Sequence, residues 1–273
     1  MVVRTETSVA NSADSSDLSD SARAQDTESP DVFVPGLRRS IDLFRAFRVE
    51  QTDPNFFYTK LAQDSVAHVA AYEPLAGQLV VDVGGGPGYF ADAFRAAGAR
   101  YLGLDADAGE MALHGRRPEP GITIQGSGLE LPFRSGSLDI CFSSNVLEHV
   151  PDPERMGDEM VRVTRPGGLI FLSFNNWLAP NGGHETAPWH YLGGDRARRR
   201  FERENGRPPK NYYGRSLFPV SVARMLRWGR RHPGAALVEA VPRYHPRWAR
   251  SVVRIPGARE IATWNLLLVL RRR

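Results

Sequence analysis

Apolar positions along the chain follow two rhythms. From Val32 to Tyr72 they recur at helical spacing: Ile41, Leu43, Phe44 and Phe47 in one stretch, Leu61, Val66, Val69 and Ala70 in the next, with Pro54 between them. From Leu79 onward, short unbroken apolar runs alternate with helical ones. Leu79–Val83, Tyr101–Asp105, Ile122–Gln125, Leu138–Phe142 and Leu169–Phe174 read as strands. Tyr89–Ala97, Asp107–His114 and Asp152–Thr164 read as helices. Asp107 is an N-cap with Glu110 as its capping-box partner, and Asp152 is an N-cap followed by Pro153 at the first helical position. Pro166-Gly167-Gly168 ends the third of these helices, and Ala235–Val241 and Thr263–Leu270 read as two closing strands. Strands that alternate with helices predict parallel βαβ units, and strands without polar alternation predict a doubly wound sheet covered on both faces.

Residues 1–30 break the pattern. They are rich in Ser, Asp, Ala and Thr and nearly free of large apolar groups, so they bury too little surface to offset the entropy of ordering. They read as a disordered acidic tail, or as an over-extended start, ahead of one domain over 31–273. Within that domain 31–75 is the expected pair of N-terminal lid helices. There Phe56-Phe57-Tyr58 either packs on the sheet or covers a ligand.

The chain has 273 residues, 41% hydrophobic and 24% charged, which excludes collagen-like, disulfide-dense and wholly disordered classes. No apolar run approaches the ~18 residues of a membrane span, and no apolar leader stands at the start. Cys141 is the one cysteine and lies in an apolar run, where it reads as a small buried hydrophobe. A cytoplasmic protein is the expectation.

The most informative stretch is Val80-Val81-Asp82-Val83-Gly84-Gly85-Gly86-Pro87-Gly88, which follows a strand and opens a helix. Its glycines let a ligand approach the main chain. The spacing differs from the G-x-G-x-x-G that seats a pyrophosphate. Asp105 ends the next strand, where a carboxylate can accept hydrogen bonds from two ribose hydroxyls, so a nucleoside ligand is implied. Gly84, Asp105, Ser127 and Asn145 all fall just beyond predicted strands, at the edge where open α/β sheets bind ligands.

Four blocks, VVDVGGGPGYFADAF, YLGLDAD, LELPFRSGSLDICFSSNVLEHVPDPE and EMVRVTRPGGLIFLSF, stand in this order over roughly 75–175. With them the chain resembles a class I S-adenosylmethionine-dependent methyltransferase of the small-molecule type, related to quinone-pathway methyltransferases. The resemblance implies a Rossmann-like, mainly parallel seven-stranded α/β sheet with an antiparallel closing strand, and S-adenosyl-L-methionine as cofactor. It implies that Asp82, Gly84 and Gly86 line the methionine half. Asp105 would hold the ribose, Ala106 would pack on the adenine, and Ser127, Gly128 and Leu129 would face the adenine edge. Ser144 and Asn145 would sit beside the methionine end. Ser127 departs from the aspartate of many relatives, which implies weaker or backbone-mediated adenine recognition. His149 reads as a brace for its loop. A nicotinamide-dependent dehydrogenase shares the acidic end of strand two but needs the other glycine spacing. A non-catalytic cofactor-binding or scaffold protein is the second alternative.

The remaining segment, 175–233, is expected to form a basic, aromatic cap over the acceptor. Asn175 to Tyr191 is loop-like and holds Trp177, His184, Glu185, Trp189, His190 and Tyr191. Aromatics supply walls for a small-molecule acceptor, and His184, Glu185 and His190 are the candidate catalytic groups that would take its proton. The other reading is an ordered loop whose histidines bond to backbone. No metal is expected, since no metal-ligand spacing supports one. Residues 195–231 hold twelve basic side chains against three acids, and Arg243, Arg247, Arg250 and Arg254 follow with no acid between them. A solvated helix face, recognition of an anionic acceptor, or peripheral contact with a membrane would each use them. Nucleic acid is not expected, because no nucleic-acid module accompanies the arginines. An oxygen acceptor is favoured, on His184 and His190 alone.

Overall fold

The computed structural model describes residues 33, 35–50, 52–112 and 122–273. All of them belong to one unit, 32–273; the expected acidic tail and the end of the helix expected to reach His114 lie outside the described residues. Seven strands, β1 (Leu79–Val83), β2 (Arg100–Asp105), β3 (Thr123–Gln125), β4 (Leu138–Ser144), β5 (Thr164–Asn175), β6 (Ala235–Pro242) and β7 (Asn265–Arg272), form one sheet. Their order is β3-β2-β1-β4-β5-β7-β6. Only β7 runs against the others, pairing antiparallel with both β5 and β6. The order reverses between β1 and β4, so the crevice beyond their carboxyl ends is the binding edge of the fold.

The missing polar alternation has a direct cause. Val81, Cys141, Ile170 and Leu268 face one core, while their neighbours Val80, Ile140, Phe171 and Val269 face the other. Helices α5 (Pro153–Val163) and α7 (Val222–Arg231) cover the first face through Met156, Met160, Met225 and Leu226. Helices α2 (Pro54–Ala70) and α3 (Ala91–Ala96) cover the second through Leu61, Val69 and Phe94. α7 therefore belongs to the sheet's own covering layer, although it falls inside the stretch expected to form the cap.

Helix starts follow their caps. Asp53 accepts from Phe56 N at 3.0 Å ahead of Pro54, and Asp152 accepts from Arg155 N at 3.2 Å ahead of Pro153. Asp107 caps the short α4 (Ala108–Met111) by accepting from Gly109 N at 2.7 Å. The expected box partner is engaged elsewhere: Glu110 pairs with Lys210 at 3.2 Å, and the Asp107 N–H donates to Asp105 instead. Strand β5 starts five residues earlier than the pattern suggested. Its register with β4 jumps from Leu138–Thr164 to Ile140–Leu169, so Arg165–Gly168 bulges out of the ladder. A Cβ on Gly168 would lie 2.7 Å from the Asp139 carbonyl oxygen, so only glycine closes the bulge.

Helix α1 (Leu37–Arg48) lies across α2, tied by Arg39 and Asp64 at 2.7 Å. The cap holds two 3-10 turns, His184–Thr186 and Trp189–Leu192, and the helix α6 (Gly194–Asn205). Among the described residues no helix is long and apolar enough to cross a membrane.

Candidate functional site

The glycine turn after β1 is bound to the end of β2 by its backbone. Gly84 N and Gly85 N both donate to the Leu104 carbonyl, at 2.7 and 3.0 Å. Gly84 sits at φ 79° with Val146 so close that a Cβ would come within 2.4 Å of its methyl group, so a side chain is excluded on two counts. Gly86, at φ 49°, has open space where a Cβ would project. Its N–H donates to one oxygen of Asp105 at 2.9 Å, and Asp107 N donates to the other at 3.0 Å. Asp105 is half-buried, so each carboxylate oxygen keeps acceptor capacity beside an open glycine backbone. That geometry fits a nucleoside with a free ribose diol.

Asp82 is buried beneath this turn. Its carboxylate accepts from the Tyr101 hydroxyl at 2.7 Å, and burial raises its pKa to about 7. The acid thus braces the turn from below. Ala106 is exposed, and its carbonyl accepts from Gln125 Nε2 at 3.3 Å. Ser127 is exposed too; its hydroxyl oxygen accepts from Leu129 N at 3.1 Å and closes a local turn. Gly128 lies against Val83 and Met156, and Leu129 packs on the same core. Tyr58 stacks on Tyr89, just past the glycine turn, with ring centroids 4.2 Å apart, while Phe57 is buried and Phe56 exposed. Of the aromatic triplet, Phe57 thus packs into the core on the α2 side of the sheet.

The β4 end carries a denser network. Asn145 adopts a left-handed φ of 61°, a conformation asparagine tolerates better than most side chains. Asn265, at the start of β7, donates from Nδ2 to the Asn145 Oδ1 at 2.7 Å and to the Asn175 Oδ1 at 3.1 Å. The ends of β4, β5 and β7 are thereby locked together. Below them lies Arg243, 1% exposed. Its Nη1 donates to Ser144 at 2.8 Å and Ser173 at 2.5 Å, and its Nη2 to Ser65 at 2.6 Å; its Nε has no partner among the described residues. Among the described residues its nitrogens meet hydroxyls and no carboxylate. Sequence reasoning placed Arg243 in a run of arginines read either as a solvated face or as an anion-recognising surface. Its signal, a residue ending a strand at the binding edge, was visible but not distinctive.

In the cap, the three candidate catalytic residues separate. Glu185 is exposed and accepts from Asn211 Nδ2 at 3.1 Å. His190 is buried, with Nε2 3.2 Å from the Ala179 carbonyl and its ring edge-on to Trp177. His184 has a left-handed φ of 48° and a buried Nε2 with no partner among the described residues, and burial lowers its pKa to about 4. Its ring lies 5.2 Å from that of His149, whose Nδ1 is 2.7 Å from the Ser216 carbonyl, the bracing contact expected of that residue. Arg198 and Arg200 on α6 are paired with Glu202 and Glu204, and Arg200 also lies over Trp189. An open, basic surface cleft of about 710 Å³ runs along this helix beside Trp189 and Leu192 and includes none of the glycine-turn residues.

A family model described as a methyltransferase domain matches residues 81–172. Over 248 residues the chain is 53% identical to an uncharacterized methyltransferase of Mycobacteroides abscessus, covering 87% of this chain and 95% of that protein. Over 252 residues it is 51% identical to an uncharacterized methyltransferase of Mycobacterium tuberculosis, covering 88% and 98%. Among solved structures, an S-adenosylmethionine-dependent methyltransferase from Mesorhizobium loti is similar with a TM-score of 0.53 and 23% identity, covering 77% of this chain and 98% of that one. That last likeness is one of fold.

Proposed function

The chain belongs to the methyltransferases, and on that premise we propose that it uses S-adenosylmethionine as methyl donor and that its acceptor is a lipid-like small molecule methylated on oxygen. The observation that carries this reading is an exposed apolar rim at the binding edge. Leu37, Ile41 and Phe44 of α1 are exposed, and so are Trp248, Ile261 and Trp264 in the connection from β6 to β7, with Trp248 77% exposed. The two groups are neighbours: Arg247 N donates to the Pro35 carbonyl at 2.7 Å, and the Phe44 and Trp264 rings stand 6.2 Å apart. Clustered exposed apolar side chains mark an interaction surface. Exposed Arg38, Arg48, Arg247 and Arg254 flank this one, which suits an anionic membrane surface holding the acceptor. On this reading peripheral membrane contact belongs to the rim instead of the 195–231 segment, where Arg198 and Arg200 are paired with acids of their own helix.

S-adenosylmethionine supplies a methyl group already activated on a sulfonium, so the protein's task is to position and polarise the acceptor. Arg243 supports oxygen as the acceptor atom. A fixed positive charge behind Ser144 favours a hydroxyl that ionises readily, such as a phenol, enol or carboxylic acid. Such a group needs little help from a base, which agrees with the weak basicity of His184. Glu185 and His190 then serve by holding the cap, through Asn211 and Ala179.

The test uses the full chain with methyl-labelled donor and a total lipid extract of its source organism, presented in vesicles with and without anionic lipid. The expected result is label in the organic phase, as an O-methyl product by mass spectrometry, with more label from anionic vesicles. Label confined to water-soluble products, or found on carbon or nitrogen, overturns the reading.

A further inference from the structure

Three ligand-type side chains meet where the cap touches the sheet. Glu148 and His149 lie in the 3-10 turn Leu147–His149 that follows β4, and His184 lies in the first turn of the cap. One ligand atom from each lies within 4.8 Å of those of the other two. The residues come together across some 35 positions of chain, so their meeting is a product of the fold and not of local spacing.

The polar bookkeeping around them does not close. Glu148 is 2% exposed. Its Oε1 accepts from Asn175 N at 3.0 Å, but its Oε2 is buried and has no partner among the described residues. His184 Nε2 is likewise buried with no partner among the described residues. His149 is oriented by its Nδ1 contact with the Ser216 carbonyl, which leaves Nε2 the lone-pair nitrogen of the neutral ring. A buried polar atom left without a partner is destabilising. Here a carboxylate oxygen and an imidazole nitrogen carry that cost side by side, and neither supplies a proton to the other. Both are also good donors to a metal ion.

We propose that Glu148, His149 and His184 bind a divalent transition-metal ion, with zinc as the best match. Two imidazoles and one carboxylate are a common zinc donor set and leave a fourth position open. They suit zinc better than magnesium or calcium, which prefer oxygen ligands throughout. The Ser216 carbonyl on His149 is the kind of outer contact that fixes a ligating imidazole. An ion at this point joins the turn after β4 to the cap. It also sits one residue contact from the asparagine network, because Asn175 holds Glu148 through its backbone and Asn265 through its side chain. The site thus differs from the expected metal-free cap, and it uses only one of the cap residues singled out from the sequence.

The test is zinc binding by the tag-free, chelator-stripped full chain, read by titration calorimetry and by elemental analysis after dialysis. The expected result is one zinc per chain at micromolar or tighter affinity, with a rise in Tm. Glu148→Gln and His184→Ala each weaken binding by about tenfold or more, while His232→Ala, remote from the cluster, leaves it unchanged. Cobalt(II) in place of zinc is expected to show the intense visible bands of a four-coordinate site, lost in His184→Ala. If Glu148→Gln fails to fold, His184→Ala in the cap decides alone. Sub-stoichiometric binding by the unaltered chain, or zinc affinity unchanged in His184→Ala, overturns the proposal. The measurement involves no acceptor, so its failure and that of the lipid reading are separable.

Discussion

On the β1–β2 side of the sheet edge a single carboxylate, Asp105, is held by two backbone N–H groups from adjacent turns. On the β4–β7 side a single guanidinium, Arg243, is held by hydroxyls from α2, β4 and β5. The first arrangement is local, rigid and partly open, so it can grip a ligand common to many enzymes. The second is assembled from distant side chains and buried, and on the proposed reading it serves one particular acceptor. The difference suggests that donor binding and acceptor handling are separable, and each can be broken without the other.

The largest effect is expected at Asp105. Asp105→Ala removes an ionised acceptor for two ribose hydroxyls, and hydrogen bonds to charged groups contribute about 1.5–3 kcal/mol each. S-adenosylmethionine affinity, measured by calorimetry, should fall about 100-fold or more, with vesicle binding unchanged. A loss of both together would show that the two sides are coupled.

Arg243→Met is expected to do the reverse. Turnover of the lipid acceptor should fall about 10- to 100-fold, with donor affinity within about threefold of the unaltered chain. Arg243→Lys, which restores a charge but not the three-way fork, should recover part of the loss. Equal losses in turnover and donor affinity would make Arg243 part of the donor site and remove the separation.

The same division explains what the sequence disclosed. The strands were legible because each residue of Val80-Val81 or Ile140-Cys141 faces a different core, which leaves unbroken apolar runs. The glycine turn and Asp105 were legible because the hydrogen bonds that join them span no more than about twenty residues, as the separation of 19 between Gly86 and Asp105 illustrates. Arg243 was not, because its partner hydroxyls stand 70 to 178 residues away and its neighbours Arg247 and Arg254 are on the surface. His184 was noticed as a histidine in a loop, but its meeting with Glu148 depends on how the cap folds back on the turn after β4. The bulge in β5 was missed because Arg-Pro-Gly-Gly reads as a helix stop, and only the ladder on both sides shows the strand continuing through it.

A smaller effect belongs to the exposed rim. Trp248→Ser together with Ile261→Ser should weaken association with anionic vesicles by about tenfold, since burying one such side chain is worth roughly 1.5–3 kcal/mol and insertion is partial. Co-sedimentation at low and high salt is the measurement. The double variant should keep its salt dependence, because the flanking arginines remain. Vesicle binding that is unchanged, or donor affinity that falls with it, would detach the rim from acceptor capture.

The smallest effect sharpens the comparison from the donor side, which has a buried titratable group of its own. Asp82 is held against the Tyr101 hydroxyl, and burial raises its pKa to about 7, well above the ordinary carboxylate value. Between those two values the folded chain keeps a proton that the unfolded chain has released. Folding therefore takes up a proton, and stability falls as pH rises toward about 7 and levels off above it. Asp82→Asn accepts from the same tyrosine hydroxyl but carries no titrating proton, so its stability should lack this slope. In urea unfolding without cofactor, the unaltered chain should lose about 1 kcal/mol relative to Asp82→Asn between pH 6 and pH 8. Parallel profiles would mean that Asp82 ionises in the folded chain much as it does in water. The glycine turn would then rest on a charge as real as that of Arg243, and the contrast between the two sides of the edge would narrow to how each charge is held.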